Sequence, residues 1–291
     1  MLNSNLVRLG SIILAMTGGV FLNCLVFLVA VVMEFSRKLE FTPAVLMCSI
    51  ALAKIIQAII FGVLGNFLNI YNIVNFFSVY DLDQCKLRSF VGNTGRLSTA
   101  FLISLFSFER LWYILSPHTV NKHLKILLIF CCVLASAIIA RLTYDAPMLH
   151  IYADGKIVDF YCGNDSSKLM GYFIIAIFLA NSAFLIFVNL AIFVLHRNAK
   201  ARQSILSGFD QQIQGQGLYL IFGTAFIQVI CDSYRSLLEL CFTVQDGINY
   251  YKISDFVYSM NNVVYLPLLY LFDRKFKDTL HYIIFIKRKS D

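Results

Sequence analysis

Residues 85–117 read CKLRSFVGNTGRLSTAFLISLFSFERLWYILSP. Cys85 opens the stretch, Glu109-Arg110-Leu111 comes near its end, and Pro117 follows seven residues after the arginine. Between Cys85 and Arg110 the residues are mostly apolar or small, and none is proline. Twenty-five residues of helix rise about 37 Å, and the hydrocarbon core of a bilayer is about 30 Å thick. A single helix across a membrane would hold the cysteine at one face and the acid–arginine pair at the other.

The rest of the chain has the same character. Of its 291 residues, 59% are hydrophobic and 14% charged, and the mean hydropathy is +0.73; ordinary soluble domains carry about 25% charged residues. Seven apolar blocks of membrane-crossing length can be read at 9–33, 43–67, 86–111, 125–148, 169–195, 217–242 and 254–272. The last is the shortest and the third the most polar. The fold class expected is an all-α membrane protein, with residues 1–291 forming one seven-transmembrane helix bundle.

The first block is longer than the apolar core of a signal peptide, about 7–15 residues, and a charged stretch from Glu34 to Arg37 replaces a small-residue cleavage site. It reads as a retained span. With the amino terminus outside and the carboxyl terminus in the cytoplasm, 14 Lys/Arg residues fall on the cytoplasmic side against six outside, in keeping with the positive-inside rule. The expected location is the plasma membrane, crossed several times. The net charge of +7 is then mainly a topology charge, and there is no basic soluble face of the kind nucleic-acid binding needs.

Of eight cysteines, Cys24, Cys48, Cys131, Cys132, Cys231 and Cys241 fall inside apolar blocks, where a free thiol is usual. Only Cys85 and Cys162 lie on the outer side, and two cysteines in an oxidising compartment are expected to pair. Asn164-Asp165-Ser166, in the same loop, is a glycosylation acceptor triplet. The connections are short: 34–42, 112–124 and 196–216 inside, 68–84, 149–168 and 243–253 outside. None could hold a domain, so a ligand site belongs in the bundle or its outer loops. After the seventh block, Phe272, Phe276, Leu280 and Ile283/Ile284 recur every three to four residues with Lys275, Lys277 and His281 between them. Residues 273–286 therefore read as a short amphipathic helix lying in the interface.

Taken together, these spacings resemble those of rhodopsin-like (class A) G-protein-coupled receptors. Cys85, Glu109, Arg110 and Pro117 match the third helix of that family. The resemblance implies a disulfide from Cys85 to an outer-loop cysteine, here Cys162, and an arginine that engages a heterotrimeric G protein on activation. It also implies that Glu109 pairs with the neighbouring Arg110 and holds it inward until activation frees its five donors. For Glu-Arg alone, an arginine snorkelling to the membrane surface is the plainer reading.

Asn23, within Leu22-Asn23-Cys24-Leu25-Val26, resembles the asparagine of the family's first helix, with Leu22 in place of glycine. Tyr265-Leu266-Pro267-Leu268-Leu269-Tyr270, running on to Phe276, resembles the seventh-helix Asn-Pro-x-x-Tyr segment and the eighth helix. Pro267 removes a backbone donor and loosens the helix, which lets Tyr270 swing inward. Leu266 replaces the asparagine, and Asn261 and Asn262 lie about one turn away. In Ser49-Ile50-Ala51-Leu52-Ala53-Lys54, Lys54 stands where the family carries its sodium-binding acid. A midspan lysine is costly and turns to a polar interior. Asn23, Thr99 or Asn262 are its expected partners, and snorkelling is the alternative. No sodium site is implied. The fourth and sixth helices match poorly: the only tryptophan is Trp112, and Cys231-Asp232 stands where Cys-Trp would be expected.

Asp232, Arg235 and Glu239 share one helical face, and Arg96 counts to the same depth as Asp232. Two readings follow. One is a structural Arg96–Asp232 pair. The other is a polar ligand pocket lined by Arg96, Arg141, Asp232, Arg235, Glu239 and Asp255.

The leading function is a receptor in which an extracellular small-molecule or peptide ligand shifts a pre-existing equilibrium. In its short loops and tails the chain looks like the divergent serpentine chemosensory receptors of invertebrates, the nematode type especially. Gly92 and Met260 occupy the positions of the amine-receptor aspartate and the opsin lysine. The alternative is an ion- or proton-coupled transporter or channel using Lys54, Arg96, Asp232 and Arg235, against which an odd span count weighs. No enzyme is expected, since Tyr144-Asp145 lacks a companion Gly-x-Gly-Asp. No cofactor or metal is expected either, because the five histidines are scattered.

Overall fold

A computed structural model describes residues 4–35, 41–65, 82–115, 121–142, 148–153, 156–162, 168–203, 222–234, 237 and 244–285. The described chain is predominantly helical. Helix α1 runs through Ser4–Leu14, a π-helical stretch Ala15–Leu22 and Asn23–Phe35; α2 comprises Phe41–Gln57 and a π-helical stretch Ala58–Gly65. Helix α3 is Leu82–Leu115 and α4 is Lys122–Leu142. Strands β1 (Met148–Ala153) and β2 (Lys156–Cys162) follow, then α5 (Lys168–Gln203), α6 (222–234), α7 (Val244–Phe272) and α8 (Arg274–Phe285).

Several boundaries differ from the sequence reading. The fourth span was expected to reach Met148, but α4 stops at Leu142 and Met148 opens β1. The stretch read as an outer loop holds an antiparallel hairpin, Met148 opposite Cys162 and Ala153 opposite Lys156, with an irregularity between Ile151 and Tyr152. Helix α7 starts at Val244, about ten residues ahead of expectation.

Among the described residues, three helices are long and apolar enough to cross a membrane: Leu9–Phe35, His123–Leu142 and Ile175–Leu195. Shorter apolar helices occupy Val45–Ile60 and Met260–Phe272. Helix α4 buries only 17% of its apolar window and turns Leu127, Phe130, Leu134 and Ile138 outward; α5 does the same with Ile186, Phe187 and Leu190. Apolar faces this large are unfavourable in water and favourable in hydrocarbon.

Helix α3 packs against α2, α4 and α5, while α1 packs against α2 and α7. Helix α6 joins its neighbours through Phe222, edge-on to Phe193 of α5 with ring centroids 6.1 Å apart, and Cys231, whose thiol lies 3.8 Å from the Val257 carbonyl of α7. Small residues let the rods approach. A Cβ on Gly18 would overlap Val263 of α7, one on Gly19 would overlap Ala58 of α2, and Gly95 of α3 lies against Gln57 and the Ala53 carbonyl. An apolar core of Val26, Val29, Met33, Leu46, Ile50, Leu102 and Leu269 fills the half of the bundle towards α8.

Helix ends follow local chemistry. Asn121 caps α4 by accepting from the His123 backbone N–H at 3.0 Å, and Asp273 caps α8 by accepting from Phe276 N–H at 3.0 Å. Backbone bonds from Asp273 N to Leu269 O (2.8 Å) and Lys277 N to Asp273 O (2.9 Å) join α7 to α8 almost without a break.

Candidate functional site

Five polar residues of the bundle interior form a connected chain across it. Lys54 of α2, only 1% exposed, donates from Nζ to the Asn261 carbonyl at 3.2 Å and to Asn261 Oδ1 at 3.4 Å. Asn261 of α7 donates from Nδ2 to Gln228 Oε1 at 2.8 Å. Gln228 of α6 donates from Nε2 to Asp232 Oδ2, one turn on, at 2.7 Å. Asp232 Oδ1 lies 3.7 Å from Arg96 Nε of α3, and the Arg96 guanidinium sits 3.9 Å from the ring centroid of Phe178 on α5. All five polar residues are buried. Away from water, each such contact is stronger, and each one broken costs more. The chain thereby ties α2, α7, α6, α3 and α5 together.

Lys54 departs from expectation in its partner. The ammonium neither snorkels nor bonds Asn23, Thr99 or Asn262; it meets Asn261, with the Tyr265 ring centroid 5.7 Å away. Neighbouring helix positions differ by about 100° in direction, so Asn261 and Asn262 face different helices. Asn262 accepts through its carbonyl from Asn23 Nδ2 at 3.2 Å. Asn23 also donates to Gly18 O (2.8 Å) and Gly19 O (3.1 Å), steadying the π-helical stretch of α1. Thr99 bonds back to the Gly95 carbonyl of its own helix at 2.9 Å. Asn23, Thr99, Asn261 and Asn262 are all buried. Among the described residues, no carboxylate lies within ion-pair distance of Lys54.

At the other end of α3, Glu109 does not pair with Arg110. Its Oε1 takes a 2.6 Å bond from Lys125 Nζ on α4, because α4 starts beside the end of α3 and turns Lys125 towards it. The Arg110 guanidinium lies 5.5 Å from the Phe106 ring centroid. Tyr270 bonds His281 of α8 through its hydroxyl at 2.9 Å and carries the Lys277 ammonium 5.2 Å from its ring centroid. Pro267 lies within α7. Phe276 is fully buried where α8 meets the bundle.

The polar ligand pocket is described only in part. Arg96 and Asp232 come together and Arg141 is exposed. Arg235 and Glu239, like Pro117 and Asn164, lie outside the described residues, and Asp255, Cys85 and Cys162 are described only in backbone. Strand β2, which ends at Cys162, lies against α3, which begins at Leu82. Cys24, Cys48, Cys131, Cys132 and Cys231 are free thiols, and Cys241 is outside the described residues. One member of the network and one partner at the far end of α3 were missed from sequence. Gln228 carries no charge to draw notice, although its place one turn before Asp232 was legible, and Lys125 was read only as a topology charge.

The chain matches no protein-family model and no curated protein.

Proposed function

We propose that the chain is a seven-span receptor of the rhodopsin-like, G-protein-coupled type in the plasma membrane, with its amino terminus outside and carboxyl terminus in the cytoplasm. The observation that carries the reading is the unbroken helix Leu82–Leu115, which bears Cys85 in its first turns and Glu109-Arg110 in its last. Those two ends are about 37 Å apart along the axis, a membrane's width. In this reading helices α1 to α7 belong to the seven spans, with α8 as the interfacial helix. In this reading Cys85 is bonded to Cys162, Asn164 carries a glycan, and a small-molecule or peptide ligand, chemosensory in kind, enters from outside. Arg110, which lies beside the Phe106 ring, engages the heterotrimeric G protein, while Pro267, Tyr270 and Phe276 shape the adjoining end of α7.

The poor match of the sixth helix has a physical counterpart. In place of an aromatic side chain, Asp232 is held by Arg96 and Gln228, so outward movement of α6 breaks polar contacts to α3 and α7. A ligand that weakens these contacts favours the moved state by its differential affinity for the two. Second-messenger output in cells co-expressing a panel of G proteins, compared between the parent and Arg110→Ala, tests the proposal.

The chain from Lys54 to Arg96 favours one second reading, an ion- or proton-coupled transporter, since charged groups within spans mark such paths. Proton flux into proteoliposomes that Asp232→Asn abolishes would select it.

A further inference from the structure

Two cationic side chains of the bundle interior spring from touching turns. Gly95 of α3 is packed on α2: a Cβ there would lie 3.4 Å from the Ala53 carbonyl oxygen and 3.3 Å from Gln57 Cβ. Lys54 follows Ala53 and Arg96 follows Gly95 in sequence, so the ammonium and the guanidinium start from one depth, and both residues are buried. Among the described residues one buried carboxylate stands near them, Asp232, and its oxygens are committed. Oδ2 accepts from Gln228 at 2.7 Å, and Oδ1 faces Arg96 Nε at 3.7 Å. The Lys54 ammonium has three N–H donors. Among the described residues it meets the two oxygens of Asn261 and the Tyr265 ring. One turn along the same face of α2, the Gln57 side chain is 2% exposed, and its Oε1 has no hydrogen-bond partner among the described residues. A half-turn of that amide exchanges the oxygen for N–H donors.

We infer that the meeting of α2, α3 and α6 is a binding site for one small monovalent anion, held by Lys54 and Arg96 with the Gln57 amide as a neutral donor. Two cations against one carboxylate leave an excess of one positive charge, and an uncompensated charge within a span is costly. A singly charged anion brings the sum to zero and gives Lys54 an acceptor for its third N–H. The five donors of a guanidinium let Arg96 face Asp232 and an anion at once. The close packing of Gly95 on α2 favours a halide, or the carboxylate end of a small organic acid, over a bulkier anion. Because Arg96 also holds Asp232, an anion on it sets how firmly α3 grips α6. The inference rests on the buried charges of a membrane bundle and not on coupling to a G protein.

The test is the unfolding midpoint of the full chain in nanodiscs, titrated with sodium chloride or sodium butyrate in place of sodium gluconate at constant ionic strength. A saturable rise is expected, by about 5–11 °C where the anion stands about a hundredfold above its Kd. A rise with chloride points to a halide of the medium as occupant and a rise with butyrate alone to the carboxylate of an organic acid, and either supports the site. Lys54→Met removes the excess charge and should weaken half-saturation by about tenfold or more, as loss of a charge pair about 4 Å apart does even at an effective dielectric of about 20. Gln57→Leu, which removes a donor and no charge, should weaken it by less. If Lys54→Met does not yield monodisperse protein, equilibrium dialysis of the parent with radioactive chloride or butyrate replaces it, and one bound anion per chain is expected. No saturable response to either anion, an equal response in Lys54→Met, or no bound anion by dialysis would overturn the assignment. G-protein output plays no part in these readouts, so failure here leaves the receptor proposal standing, and the reverse also holds.

Discussion

Gln228→Leu isolates the link between α6 and α7 with little change of volume. It deletes the acceptor of the 2.8 Å bond from Asn261 and the donor of the 2.7 Å bond to Asp232. In a soluble interior each buried group left unsatisfied costs about 1–3 kcal/mol. Within a bilayer, polar contacts between helices average about 0.6 kcal/mol and reach about 1.7, because separated helices find other partners. Two contacts, one of them to a buried carboxylate, therefore sum to about 1–3 kcal/mol. At about 2–4 °C per kcal/mol for chains of about 150–250 residues, the unfolding midpoint in nanodiscs should fall by about 2–12 °C. A maleimide dye that reports exposure of the buried Cys231 gives the midpoint. Asn261→Leu combined with Gln228→Leu should cost less than the sum of the two alone, by about 0.5 kcal/mol or more. An unchanged midpoint, or strict additivity in the double variant, would refute the direct bond and with it the continuous polar chain.

Glu109→Gln and Lys125→Gln should each lower stability by about 1 kcal/mol, as a partly buried 2.6 Å ion pair implies, and the double variant should lose no more than either. Basal G-protein output of Glu109→Gln should match the parent, because Glu109 holds Lys125 and not Arg110; a clear rise would restore the Glu109–Arg110 pairing. Gly18→Ala should cost about 1–3 kcal/mol and lower surface expression, since its methyl group would meet the Val263 Cα at 2.8 Å as well as the side chain; parental expression and midpoint would count against the close approach of α1 to α7. The unfolding midpoint should be the same in sodium and in N-methylglucamine at equal ionic strength, because a second cation about 4 Å from the Lys54 ammonium costs about 4 kcal/mol even at an effective dielectric of 20. A sodium-specific rise would show that a cation site exists beside Lys54.

Burial was legible in the sequence wherever polarity stood alone in an apolar block. Asn23, Lys54, Thr99, Asn261 and Asn262 could be assigned to the interior because lipid offers an amide or ammonium no partner, and Arg96 and Asp232 could be matched by depth. Direction was not legible. The choice between Asn261 and Asn262 for Lys54 turns on one step of about 100° around α7, finer than a span boundary read from hydropathy. The Glu109–Lys125 pair was hidden for a related reason: adjacency in sequence drew attention to Arg110, while the true neighbour depends on how closely α4 follows α3. The hairpin of β1 and β2 carries no apolar block, so hydropathy gave it no weight.

The central claim is that the chain carries an extracellular signal to a G protein through Arg110, and the most direct measurement is nucleotide exchange on purified heterotrimeric G proteins by the chain reconstituted in nanodiscs. The parent should accelerate exchange on at least one G protein, basally or with an active extract, and Arg110→Ala, folded with the same unfolding midpoint, should not. Exchange at the uncatalysed rate across the whole panel, or acceleration by Arg110→Ala equal to that of the parent, would contradict it.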